Sequence, residues 1–197
     1  MDYYGRWKAQ QYMTKHAYEE FLISAVKEND SIKIVAISDI YKTTEATLQL
    51  SLIDFNGKEL KKVSKQLVLP ENCSQLVYSF KQKDWVSTEI QQNTVLHLKL
   101  MVNNKIVSEN NFYFGKPKDL NLPKPHILLK QTGDNTIEVS TDKMAKNVWL
   151  FLPETINAFS DNYFDLLPGK NKTIEVKSAN LKAEIRKIQV KTLVDTY

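Results

Sequence analysis

The sequence predicts a mainly β protein, two antiparallel β-sandwiches in tandem behind a single N-terminal α-helix. Three observations predict it. Apolar residues recur at the helical period only within the first twenty residues, alternate with polar residues at period two from Phe21 onward, and are divided by a proline-rich segment near the middle of the chain.

The helix comes first. Ala9, Tyr12, Met13, His16 and Ala17 fall on one side of a 3.6-residue period, Asp2 can cap the start, and no proline interrupts the stretch to Glu20. Behind it Leu48, Leu50 and Leu52 alternate with Thr47, Gln49 and Ser51, and Leu96, Leu98, Leu100 and Val102 alternate with His97, Lys99, Met101 and Asn103. Shorter signals at 22–27, 32–38, 59–69, 75–80 and 106–114 bring the total to about seven strands, and Asn56-Gly57 and Asn103-Asn104 suit tight hairpins between them. Short strands at this spacing are the pattern of an immunoglobulin-like sandwich, here over residues 21–114.

Residues 115–125, Gly-Lys-Pro-Lys-Asp-Leu-Asn-Leu-Pro-Lys-Pro, hold half of the six prolines and read as a linker, because proline fixes the backbone and withholds a ladder donor. A second immunoglobulin-like sandwich is expected over 126–197, with strands near 126–131, 136–140, 148–152, 172–177 and 184–194. Thr132-Gly-Asp-Asn135 and Leu167-Pro-Gly-Lys170 supply turns between them.

Composition narrows the function. With 197 residues, 42% hydrophobic and 25% charged, the chain is ordinary for a globular protein, and no apolar run approaches the roughly 18–20 residues of a membrane helix. The N-terminus lacks the basic-then-apolar order of a secretory signal. Twenty-seven basic against 23 acidic residues leave a net charge of +4, and Arg6 and Arg186 are the only arginines, so neither nucleic acid nor membrane is expected as a partner. Cys73 stands alone, which excludes an intrachain disulfide and a cysteine-built zinc site.

No catalytic constellation assembles. His16, His97 and His126 share no ligand spacing, and His97, on the strand face opposite its leucines, is expected to be exposed. Phosphate loops, nucleophile elbows and dinucleotide fingerprints are missing, and neither a metal nor a cofactor is expected. Asp161 and Asp165 flank aromatic residues but read as turn formers or solvated charges rather than the carboxylate pair of a glycosidase, with Asp161-Asn162 shaped like a side-chain-to-backbone turn. Trp149 lies in the run Val148-Trp-Leu-Phe-Leu152 and is expected in the core. Trp85, in the polar Gln82-Lys-Asp-Trp-Val86, suits either a carbohydrate platform or inter-sheet packing. Asn72-Cys-Ser74 and Asn171-Lys-Thr173 match the N-glycosylation pattern.

Two stretches carry a resemblance. Asp2-Tyr-Tyr-Gly-Arg-Trp-Lys-Ala9, with Tyr12 and Lys15, resembles the last barrel helix of the β-mannosidases of glycoside hydrolase family 2. Phe159-Ser-Asp-Asn-Tyr-Phe-Asp-Leu-Leu-Pro-Gly169, with Lys172-Thr-Ile-Glu-Val176, resembles the terminal immunoglobulin-like domain of the same enzymes. The chain departs from the family where Gln10 and Gln11 stand in place of a bulky apolar residue.

The resemblance implies the C-terminal region of such an enzyme, with residues 1–20 as the terminal helix of a (β/α)₈ barrel. The parent would hydrolyse terminal β-D-mannose with retention, and its two glutamates would lie on barrel strands upstream of anything matched here. No residue of this chain takes a catalytic role. The implied task is to brace the barrel, with Tyr3, Tyr4, Trp7 and Tyr12 as docking anchors, in a parent that is periplasmic or secreted. Apart from a barrel, the helix is expected to pack back on the first sandwich, self-associate or fray. The alternative is a free-standing carbohydrate-binding or protein-interaction sandwich, with oligosaccharide contact through Trp85.

Overall fold

A computed structural model describes Tyr3 and residues 7–153, 158–178 and 180–196. The chain divides into two compact units, one of Ala17–Asp54 and Lys58–Asn121, the other of Met1–His16, Phe55–Gly57 and Leu122–Tyr197. Both units are immunoglobulin-like antiparallel modules, and the helix that precedes them is short.

In the first unit β1 (Phe21–Glu28), β2 (Ser31–Ser38) and β5 (Cys73–Lys81) form one sheet. β4 (Glu59–Leu69), β3 (Thr44–Asp54), β6 (Thr94–Val102) and β7 (Lys105–Tyr113) form the other, in that spatial order. Period-two alternation builds the core. Leu48, Leu50 and Leu52 lie opposite Leu100, Leu98 and Leu96 across the β3–β6 ladder, and all six side chains point inward to meet Ile23, Ile32 and Ile34 of the facing sheet. Each such burial contributes roughly 1.5–3 kcal/mol, and a slip of one residue would turn all six outward.

The hairpins follow from their turn residues. Asn103 and Asn104 have φ of 50° and 61°, the left-handed pair of a type I′ turn, which asparagine tolerates and which matches the twist of β6 and β7. At the β3–β4 turn Gly57 takes φ +96°, while the Asp54 carboxylate accepts the Lys58 N–H at 2.9 Å.

Trp85 is a core residue, 8% exposed. A single 3₁₀ turn at Gln82–Asp84, closed by the Trp85 N–H to the Gln82 carbonyl at 3.0 Å, swings Trp85 and Val86 inward. Its ring stacks on Phe80 with centroids 4.5 Å apart, and the Lys61 ammonium lies 4.8 Å from the ring centroid. His97, expected in water, is buried. β6 is a central strand, so Ser51 and Asn111 stand opposite it on either side; Asn111 Oδ1 meets its Nδ1 at 2.8 Å and Glu109 lies 3.8 Å from Nε2.

The second unit holds one sheet of β12 (Asn171–Glu175), β9 (Thr136–Thr141) and β8 (Ile127–Gly133). The other contains β11 (Phe164–Leu166), β10 (Ala145–Phe151) and β13 (Gln189–Lys191). Ile137, Val139, Val148, Leu150, Leu152, Ile174 and Val176 are among its core residues.

The strand expected over 184–194 is largely replaced by helical turns. α2 (Leu181–Glu184) starts where the Asn180 side chain accepts the Ala183 N–H, 3₁₀ turns occupy Ile185–Lys187 and Leu193–Asp195, and β13 is all that remains extended. Side-chain caps here offer the backbone local partners that compete with a ladder, as in the Thr192–Asp195 capping box. The linker is not wholly extended either, since Pro117–Asp119 forms a 3₁₀ turn and Leu120 is buried.

The N-terminal helix α1 spans Ala9–Ala17, shorter than the period suggested, and its proposed cap Asp2 lies outside the described residues. Of the expected apolar face only Tyr12 is buried, while Met13 and Ala17 are exposed.

Candidate functional site

The segment 158–169 organises the second unit around α1. Phe159 bridges Val176, and Ser160 donates its N–H to the Glu175 carbonyl at 2.9 Å, which ties the segment to the end of β12. Asn162 then acts as a one-residue strand. Its Oδ1 accepts the Leu150 N–H and its Nδ2 donates to the Leu150 carbonyl, both at 2.8 Å, completing β10 where β11 has not yet begun. Tyr163 follows with φ 57°, a left-handed turn that delivers Phe164 and Leu166 to the core. Asp165 accepts the Asn147 N–H at 2.9 Å, where the β10–β11 register shifts and Asn147 itself has φ 52°.

Asp161 is the electrostatic centre and is 8% exposed. Its Oδ1 receives the Asn162 N–H at 2.8 Å and faces His16 Nε2 at 3.0 Å, and its Oδ2 pairs with the Lys172 ammonium at 2.8 Å. Lys172 reaches it from the rim of the sandwich, because its register partner is the core residue Val139, and it also lies 4.9 Å from the Phe164 ring. Burial pushes this carboxyl up, but the His16 hydrogen bond and the Lys172 charge together outweigh it and hold the group at about 2. Neither aspartate is a solvated charge. A carboxylate with both oxygens engaged and so low a pKa has no capacity to serve as an acid or base near neutrality.

These contacts seat the helix. Lys15 donates to the Ser160 carbonyl at 3.1 Å, His16 meets Asp161, and Tyr12, 3% exposed, packs its ring 6.0 Å from Tyr163. Burial raises the Tyr12 hydroxyl above its usual range, opposed by a hydrogen bond with Asn162. The helix therefore rests on the C-terminal module, where the groups that match its polar and aromatic face are.

The rings continue beyond the helix. Trp7 stands edge-on to Tyr12 at 5.3 Å, Trp149 stacks on Tyr163 with planes 11° apart and centroids at 6.0 Å, and Phe151 follows at 5.9 Å. Trp149 is not a core residue. Val148, Leu150 and Leu152 take the inward positions, so alternation turns Trp149 and Phe151 to the outer face, where Phe151 is 37% exposed. That signal lay in the run itself.

Of the anchors singled out in the sequence, Tyr3 is 95% exposed and Trp7 37%, Tyr12 faces into the module, and Tyr4 lies outside the described residues. Trp85 sits in the other unit with its ring buried, and a sugar platform requires a ring face in water. Among the described residues no group of three or more His, Cys, Asp or Glu could hold a metal ion, and no helix is long and apolar enough to cross a membrane.

Fold and motif together define a tandem pair of immunoglobulin-like domains. Residues 30–119 match the mannosidase Ig/CBM-like domain and residues 122–196 an Ig-fold domain. These domains are homologous to the C-terminal Ig-like domains of the glycoside hydrolase family 2 β-mannosidases.

Beta-mannosidase A of Aspergillus clavatus is 26% identical over 196 residues, a match covering 88% of this chain and 21% of that protein. The beta-mannosidase of Bos taurus is 23% identical over 210 residues, covering 100% and 24%. The crystal structure of the β-D-mannosidase from Dictyoglomus thermophilum shares the fold at a TM-score of 0.82 and 18% identity, over 98% of this chain and 24% of that one. The chain thus spans about a fifth to a quarter of the length of the curated relatives it matches.

Proposed function

We propose that this chain is the non-catalytic C-terminal accessory region of a β-mannosidase-like glycoside hydrolase, whose parent hydrolyses terminal β-D-mannose residues with retention, and that it braces the catalytic barrel. The observation that carries the reading is the seat of α1. Tyr12, Lys15 and His16 fasten it to the C-terminal module, while Tyr3 and Trp7 stay exposed just before it. Exposed aromatic side chains beside a seated helix are suited to join a rigid module to a preceding domain, with Tyr3, Tyr4 and Trp7 as the proposed anchors and Tyr12 as the side chain that fastens the helix. The barrel of the parent chain is then the partner. Burying one such ring contributes roughly 1.5–3 kcal/mol.

In the gene product that carries these residues behind a barrel, Trp7→Ala is expected to lower the barrel's melting transition by about 2–4 °C. An unchanged transition overturns the bracing role. The chain alone is expected to release no p-nitrophenol from p-nitrophenyl β-D-mannopyranoside, and turnover by it would overturn the non-catalytic reading.

A further inference from the structure

We infer that Asn56 is a modification site: in the folded chain its side-chain amide is lost spontaneously to water through a cyclic imide, leaving isoaspartate or aspartate at the β3–β4 turn and loosening the unit that holds it. This is independent of the bracing role and uses none of the helix anchors.

Sequence and turn geometry combine at this one asparagine. Imide closure requires the backbone nitrogen of the following residue to reach the asparagine Cγ, and a Cβ on that residue stands in the way. Asn29, Asn72, Asn103 and Asn104 are exposed turn residues with φ between 42° and 61°, but Asp30, Cys73, Asn104 and Lys105 follow them. Asn56 alone among the asparagines of the chain precedes a glycine. Asn56 and Gly57 are both exposed and Gly57 has φ +96°, so water reaches the turn and the chain there has the rotational freedom that glycine gives. Two bonds closing the hairpin lie on either side. The Asp54 N–H donates to the Lys58 carbonyl at 3.0 Å, and the Lys58 N–H donates to Asp54 Oδ1 at 2.9 Å, so neither uses the Gly57 nitrogen.

The step balances with water alone. The Gly57 nitrogen adds to Asn56 Cγ, its proton passes to solvent base, and the side-chain nitrogen leaves as ammonia, which closes the imide. One water then opens the ring. Attack at Cγ gives aspartate, and attack at the main-chain carbonyl gives isoaspartate, whose backbone runs through Cγ with an extra methylene. Either product puts a carboxylate where a neutral amide stood.

The turn has little room for that methylene. Phe55–Gly57 falls in the same compact unit as Met144 and Pro168. The Phe55 carbonyl accepts the Met144 N–H at 2.8 Å, and a Cβ built on Gly57 would stand 2.9 Å from Pro168 Cβ. A longer main chain must shift these contacts.

The whole chain, aged in mildly alkaline buffer well below its melting transition, then digested and mapped by mass spectrometry, is expected to show the amide-to-acid mass gain at Asn56 before any other asparagine. Isoaspartate should be the larger product, read by its acceptance of a methyl group from an isoaspartyl methyltransferase. Asn56→Gln, at an exposed side chain, should abolish both signals, because glutamine must close a larger ring. The converted chain should melt below the fresh one. Retention of the Asn56 amide while other asparagines convert overturns the proposal, as does equal isoaspartate in Asn56→Gln or a converted chain that melts with the fresh one.

Discussion

His16 and Asp161 are 145 positions apart in the sequence and 3.0 Å apart in space. A nine-residue helix is too short to be stable on its own in water, so α1 depends on contacts of this kind. The carboxylate at their centre makes the second unit acid-sensitive in a defined window. Its pKa falls from 3.8 to about 2 on folding, so the unfolded chain binds the extra proton between those values and stability rises with pH across them. The contribution, about 2 kcal/mol, is fully present above pH 4 and lost as pH falls through 2. Denaturation of wild type and Asp161→Asn should give a stability difference that shrinks from pH 5 to pH 2; a constant difference would contradict it.

Asn162 carries the strand-like pairing of Leu150. Asn162→Ala leaves a buried N–H and a buried carbonyl without their partner and is expected to cost about 2–4 kcal/mol. Urea unfolding of the variant measures this directly, and a loss below 1 kcal/mol would mean that water or a neighbouring backbone takes over both bonds.

Trp85 belongs to the core of the first unit between Phe80 and Lys61. Trp85→Ala should destabilise that unit by about 3–5 kcal/mol, since a large ring leaves a cavity that a packed sandwich only partly closes. A variant as stable as wild type would return the ring to the role of a ligand platform.

Much of the fold was legible because it is local. The leucine alternation of 48–52 and 96–102 fixes which faces are inward, and Asn103-Asn104 sets a turn, since neither needs a distant partner to be read. Residues 184–194 failed for the opposite reason. Their apolar pattern is compatible with a strand, but Asn180, Thr192 and Asp195 satisfy the backbone locally and only the short β13 pairs. Of the two tryptophans, Trp149, expected in the core, faces outward, whereas Trp85, open between a platform and packing, is core. Trp85 follows a turn that polar neighbours disguised, and Trp149 obeys an alternation hidden inside an apolar run.

The sequence by itself determined the class of the protein: two β-sandwiches behind a short helix, most of their strands, and the two motifs that resemble a family. What α1 rests on was decided by tertiary structure alone, as was the work of Asp161 and Asn162. A strand's inward face is set by its own period, whereas a buried carboxylate acquires its state from the charges brought to it. For Asp161 those are His16 and Lys172, one from the first helix and one from a strand edge, and only folding places them together.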